Sequence, residues 1–190
     1  MIMQPLQLPP VALPTPPGEG WHVVRAADRG LHWHPQVREL LFHWLRLCGT
    51  DNRLPGPADI NSDLLGELQP YIWMMDVQRA PWRFRYRMIG VAFADIISLD
   101  ATGQWYDEVR PIAWSTNRLR LITTARDGVP TWRRGRMPQE DSDTVAGGWS
   151  EIENLMLPLA GDGITVDTVL GIGMPYRPIE LWAESETPAN

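Results

Sequence analysis

Residues 71–89 read YIWMMDVQRAPWRFRYRMI, and their pattern decides the class of fold. From residue 83 the chain alternates, with Arg83, Arg85 and Arg87 at odd positions and Phe84, Tyr86 and Met88 at even ones. A period of two sends successive side chains to opposite faces of a strand. The arginines are therefore expected on one face and Phe84, Tyr86 and Met88 together on the other. Residues 71–79 are aromatic and β-prone, and the short link Ala80-Pro81-Trp82 predicts that the two strands form a hairpin. Gly90 ends the second strand.

Upstream, residues 34–48 (HPQVRELLFHWLRLC) have helical spacing: Val37, Leu40, Leu41, Trp44, Leu45 and Cys48 recur on one face. Pro35 suits the first turn and Gly49 the stop. The stripe requires an apolar partner, either the domain's own core or a second copy of the helix. Between helix and hairpin, a loop rich in Gly and Pro leads into Asp59–Leu68, where a short helix is expected to end at Pro70.

Downstream, 91–98 fits a short helix, 100–109 reads as irregular, and 112–127 fits a longer helix with Gly128 as its stop. Only part of that helix's face is expected to be deeply buried, since Ala113, Thr116, Leu119, Leu121 and Thr123/Thr124 are mixed. Three strands are expected at 129–137, 150–160 and 164–174, the last two joined tightly at Gly161-Asp162-Gly163. The polar stretch 139–148 reads as a loop. The Pro-rich segment 1–20 favours extended backbone or a disordered tail, and 183–190 reads as a flexible tail. The sum is an α+β chain: a five-stranded antiparallel sheet with flanking helices and an N-terminal amphipathic helix. One sheet face is expected to pack on the helices and the other to meet solvent or a partner.

Composition narrows the function classes. The formal net charge is −6, which argues against a nucleic-acid module with a basic face. All the basic residues are arginines. No apolar run is long enough for a bilayer, and the proline-broken N-terminus lacks a basic leader region. A single cysteine, Cys48, permits no internal disulfide and no thiol zinc cluster. A cytoplasmic protein without membrane or nucleic-acid partners is the expectation.

The stretch RLPGPADINSDLLGELQPYIWMMDVQRAPWRFRYRMIGVAF (53–93), with TGQWYDEV (102–109), ARDGVPTWRRGRM (125–137) and EIENLMLPLAGDGITVDTVLGI (151–172), resembles a bacterial family of stand-alone PAS-domain proteins common in alphaproteobacteria. The resemblance spans about residues 36–174 and implies one PAS-like domain over 34–178, including the helix 34–48. It implies a sensory or regulatory role in signal transduction. A fold of this kind hosts many functions, so the role has to be argued from the site.

In that family a ligand, when present, lies between sheet and helices. The resemblance therefore points to Trp73, Met75, Phe84, Tyr86 and Met88 of the hairpin, Phe93 and Ile97 of the short helix, and Asn154, Met156 and Leu170 of the later strands. Methionines and aromatic rings make an adaptable apolar wall for a small apolar or aromatic ligand, and Asn154 or Tyr86 can orient a polar group. The competing reading is a filled core. Leu40, Leu41, Trp44 and Leu45 are the candidate interface for a protein partner or a homodimer.

No cofactor is required. Cys48 precedes the strands, and no Asn-Cys-Arg-type motif follows them, which disfavours a flavin adduct. His22, His32, His34 and His43 lie ahead of the sheet without a diagnostic ligand spacing, so a haem-binding sensor is an alternative but a disfavoured one. Gly171-Ile172-Gly173 falls inside a strand, where close packing is a better account than phosphate binding. Asp107, Glu108, Glu151 and Glu153 are acidic candidates by type alone, and Glu151 and Glu153 are expected on a solvated strand face. The remaining alternative is a small enzyme, an isomerase or hydrolase on a cone-shaped α+β fold. The carboxylates cluster at turns and strand ends, which counts against it, and no catalytic residue is assigned.

Overall fold

A computed structural model describes residues 20–25, 32–51, 53–109, 114–136 and 151–176. The Pro-rich segment 1–19, the loop expected at 139–148 and the tail 183–190 lie outside the described residues. The elements in order are β1 (Trp21–Val23), α1 (Pro35–Cys48), α2 (Ser62–Leu65), β2 (Ile72–Gln78), β3 (Arg83–Ile89), α3 (Val91–Ile97), α4 (Tyr106–Val109), α5 (Trp114–Asp127), β4 (Thr131–Arg136), β5 (Glu151–Leu159) and β6 (Thr168–Tyr176). Short 3-10 helices occupy Pro57–Asp59 and Gly66–Tyr71.

The strands form one antiparallel sheet in the order β1-β4-β5-β6-β2-β3. The five expected strands are β2 to β6. The sixth, β1, pairs Trp21 with Arg133 and Val23 with Thr131 at the β4 edge. Three residues are too few for a periodic signal, which is why the sequence does not announce it.

Helix α1 begins and ends where its residues dictate. Pro35 fills the first turn, and the His34 ring accepts from the backbone N–H of Gln36. Burial lowers the His34 pKa; the Glu153 carboxylate raises it, and the Arg134 charge lowers it. A neutral ring suits that accepting role. Gly49 closes the helix at φ +57°, a conformation that favours glycine.

Both sheet faces are covered, which corrects the expectation of one open face. Val37, Leu40, Leu41 and Trp44 of α1 pack with Ile72, Met74, Leu155, Leu157, Leu170 and Ile172 on one face. The Trp44 indole donates to the Pro158 carbonyl at 2.9 Å. The apolar stripe of α1 is thus spent on the chain's own sheet, the first of the two uses its spacing allows. On the opposite face Trp73, Met75, Phe84, Tyr86, Ile152, Met156 and Val169 pack with Phe93 and Ile96 of α3, Tyr106 of α4, and Leu121 and Ala125 of α5. The molecule is three layers deep, helix, sheet and helices.

Four local expectations change. In the hairpin, Met74 pairs with Met88 but Met75 pairs with Tyr86, so Arg87 has no opposite number. This bulge inverts the alternation and sends Met88 to the α1 face. The tight connection at 161–163 is longer than expected, and β6 starts at Thr168. There the Asp162 carboxylate accepts from the backbone N–H groups of Ile164 and Thr165 at 2.8 and 2.6 Å and shapes a wider turn. Pro70 lies inside a 3-10 turn rather than ending a helix. The stretch 100–109, read as irregular, contains α4.

The fifth change is chemical. Glu153 is fully buried, not solvated. Its Oε1 accepts from the His34 backbone N–H (2.8 Å) and the Trp132 indole (3.0 Å), and its Oε2 accepts from Nε (3.0 Å) and Nη2 (2.6 Å) of Arg134. Arg134 also donates to the His32 carbonyl. Trp33 stacks on Trp132 at 5.2 Å with ring planes 7° apart, and His22 lies 5.1 Å from Trp132. This cluster pins the entrance of α1 to strands β4 and β5. A carboxylate with four donors is satisfied without water, which is what allows a charge to be buried.

Candidate functional site

The side of the sheet under α3, α4 and α5 gathers most of the residues expected to line a ligand compartment. Trp73, Met75, Phe84, Tyr86, Phe93 and Met156 form one buried cluster, with Ile97 packed at its margin. Asn154 shares their sheet face by alternation with Ile152 and Met156. Met88 and Leu170 are not part of it. Met88 is displaced by the bulge, and Leu170 alternates with Val169 and faces α1.

Two glycines of β6 lie directly beneath this cluster. A Cβ on Gly171 would fall 2.1 Å from two ring atoms of Trp73, and one on Gly173 would fall 2.2 Å from the Phe93 ring. The rings of Trp73 and Phe93, themselves 6.2 Å apart and stacked, lie directly on the β6 backbone. Close packing is therefore the role of Gly171 and Gly173, as their position within a strand suggests.

Polar groups enter from α5 and β5. Arg120 is fully buried. Its Nη2 donates to the carbonyls of Thr131 (3.2 Å) and Asn154 (3.1 Å), and its Nη1 reaches Oδ1 of Asn117 at 3.4 Å. Among the described residues the Arg120 Nε has no hydrogen-bond partner. Burial pushes the guanidinium down to about 9, the Arg133 charge acts in the same direction, and Tyr106 opposes it. Arg120 therefore stays a cation at neutral pH. The Asn154 amide donates to the Ile172 carbonyl at 3.0 Å, while its buried Oδ1 has no partner among the described residues. Thr123 Oγ1 and the Trp73 indole nitrogen are likewise buried and, among the described residues, unpartnered. Thr124, by contrast, is satisfied by Thr131 at 3.0 Å.

Arg120 is the residue that sequence reading misses. An arginine in a helix reads as solvent-facing, and Arg118 and Arg120 flank exposed Leu119. The usable signal is the spacing of Arg120 to Thr123 and Thr124, which puts all three on the face that carries Leu121 and Ala125.

The other candidates fall elsewhere. Leu40, Leu41 and Trp44 are buried under α1, while Leu45 is 43% exposed. Cys48 is half-buried at the end of α1, on the far side of the sheet, and burial raises its thiol to about 11. Asp107 and Glu108 are held in ion pairs with Arg83 at 2.9 and 2.6 Å. His43 lies 3.5 Å from Glu39 on the same helix. Among the described residues no three His, Cys, Asp or Glu side chains gather as a metal site. Nor, among them, is any helix long and apolar enough to cross a membrane.

Comparison with known proteins adds little. No family model matches the sequence, and no curated protein does. Among solved structures, an RNA-binding Light-Oxygen-Voltage receptor is similar at 13% identity with a TM-score of 0.39, over 64% of this chain. The match spans 35% of that receptor's chain.

Proposed function

We propose that this chain is a PAS-type sensory or regulatory domain, not an enzyme, that holds a small ligand between its sheet and helices α3–α5. The observation that supports the reading is the make-up of the buried layer between the sheet and these helices. Aromatic and methionine side chains of β2, β3, α3, α4 and β5 pack there over Gly171 and Gly173, and among the described residues several buried polar atoms of that layer have no hydrogen-bond partner. Apolar walls with a few convergent polar groups are the usual build of a ligand site. The order of elements, and the resemblance of residues 53–93 and 151–172 to stand-alone PAS proteins, support the same reading.

The acidic residues do not favour catalysis: Asp107 and Glu108 are tied to Arg83, and Glu153 is saturated on the far face. Output through a protein partner or a second copy is favoured by one observation. The outer face of α1 exposes Phe42, Leu45 and Leu47, while its inner stripe is buried.

Native mass spectrometry of gently purified, untagged protein tests the reading. Mass above 21.6 kDa per chain that is lost on denaturation is the expected result. A bare chain that also binds no member of a library of small aromatic and aliphatic compounds would remove ligand sensing. A Leu45→Asp variant that stays folded but loses self-association or partner capture would place the output on α1; unchanged association would remove that face.

A further inference from the structure

The α5 side of the sheet carries a positive charge that its own hydrogen-bond partners do not neutralise. Arg120 is fully buried, and among the described residues its partners are two backbone carbonyls and one amide oxygen, none of them a carboxylate. Fully buried arginines are rare unless paired. Backbone carbonyls supply hydrogen bonds but no counter-charge, so the desolvation cost of the ion is only partly offset. Arg133, opposite Asn154 in the β4–β5 register, adds a second positive charge acting on Arg120.

The contrast with Glu153 is instructive. On the other face the same sheet buries a carboxylate and supplies Arg134 as its counter-ion. On this face the cation is present and the anion is not supplied by its contacts.

The unpartnered atoms have matching chemistry. Arg120 Nε is a donor, and Thr123 Oγ1, a helical turn away on the same face of α5, can donate as well. A water molecule would satisfy the hydroxyl but would not neutralise the guanidinium. With both Nη2 hydrogens spent on carbonyls, the Nε–H and the Thr123 hydroxyl are the donors left for a carboxylate, one to each oxygen. The buried cluster on the same side of the sheet, with Trp73, Met75 and Phe93, is apolar and aromatic.

We propose that the ligand is a small organic carboxylate whose charged end is held by Arg120 and Thr123 and whose apolar or aromatic body lies against Trp73 and Phe93. The inference rests on the ligand-binding reading above and names its chemical class.

The test compares benzoate with benzamide, its neutral isostere, on the full chain at near-neutral pH and matched ionic strength. Both the thermal midpoint and the arginine Nε–H signals in 15N NMR are followed. Benzoate is expected to raise the midpoint in a dose-dependent way and to move one buried Nε–H signal. Benzamide is expected to bind about tenfold to a hundredfold more weakly, as the loss of a charge-assisted hydrogen bond dictates. Arg120→Met should fold, since it replaces a buried ion by an apolar chain, and should lose the preference for benzoate. Thr123→Val, which is close to isosteric, should weaken benzoate by several-fold.

Equal responses to benzoate and benzamide would overturn the carboxylate site and leave the compartment standing. A benzoate preference that survives Arg120→Met would overturn it too. No response to either probe would overturn the carboxylate site, and the mass-spectrometric result would then decide separately whether any ligand is held.

Discussion

Replacing Glu153 by glutamine is the sharpest test of how the two covers of the sheet are held. The carboxylate accepts four hydrogen bonds and is fully buried, facing His34, Trp132 and Arg134. Glutamine keeps the shape but converts one oxygen into an NH2 group, which must then face a donor. The ion pair with Arg134 is lost in either orientation, and the NH2 group leaves without an acceptor either Arg134 or the His34 N–H and the Trp132 indole. Removing one partner of a buried pair costs about 3–5 kcal/mol. Arg134 keeps 23% exposure and can rehydrate in part, and the glutamine oxygen still serves one side. The expected loss is therefore about 2–3 kcal/mol. At about 2–4 °C per kcal/mol for a chain of this size, Tm should fall by about 4–12 °C. Thermal and urea denaturation followed by circular dichroism read this directly. A double-mutant cycle with Arg134→Gln should return a coupling above about 0.5 kcal/mol. A Glu153→Gln variant within about 0.5 kcal/mol of wild type would refute the view that this carboxylate anchors α1.

Three further outcomes follow from the geometry. Gly173→Ala should cost about 1–3 kcal/mol, because its Cβ must displace the Phe93 ring; chemical denaturation checks this, and a neutral result would mean that Phe93 is not packed on β6. Hydrogen bonds from the N–H groups of Ile164 and Thr165 hold the Asp162 carboxyl below the usual carboxylate range, so its contribution is present above the unfolded pKa and lost as pH falls through the folded one. The stability gap between wild type and Asp162→Ala should thus be full at neutral pH and shrink below about pH 4; a gap independent of pH would contradict it. The Cys48 thiol, raised to about 11 by burial, should react slowly with a disulfide reagent near neutrality and accelerate as pH rises toward that value; a fast reaction at neutral pH would show that it is not packed under α1.

Local signals made the element order legible. The alternation of 83–89, the spacing of 34–48 and the stops at Gly49 and Gly128 each act over a few residues, and the strands and helices appear near where those signals fall. What escaped is what depends on distant neighbours. The bulge at Arg87 is invisible in a strict alternation, because it is set by pairing with Met74 and Met75. Glu153 and Arg120 are charged side chains that composition assigns to water, and each is buried by partners far away in sequence. The same limit applies to the expected ligand lining. Six of its ten expected residues share one cluster, with Ile97 at its margin and Asn154 on the same face, and the two that do not, Met88 and Leu170, were placed by a period that tertiary pairing shifted or by a parity that only the register fixes.

Asn154 and Glu153 are neighbours on β5. The backbone carbonyl of the first receives Arg120 from α5, while the side chain of the second grips the entrance of α1. The two helical covers, on opposite sides of the sheet, are thus moored to adjacent residues of one strand. A shift of this short piece of β5 moves both moorings at once, so the sheet acts between its covers less as a partition than as a common axle.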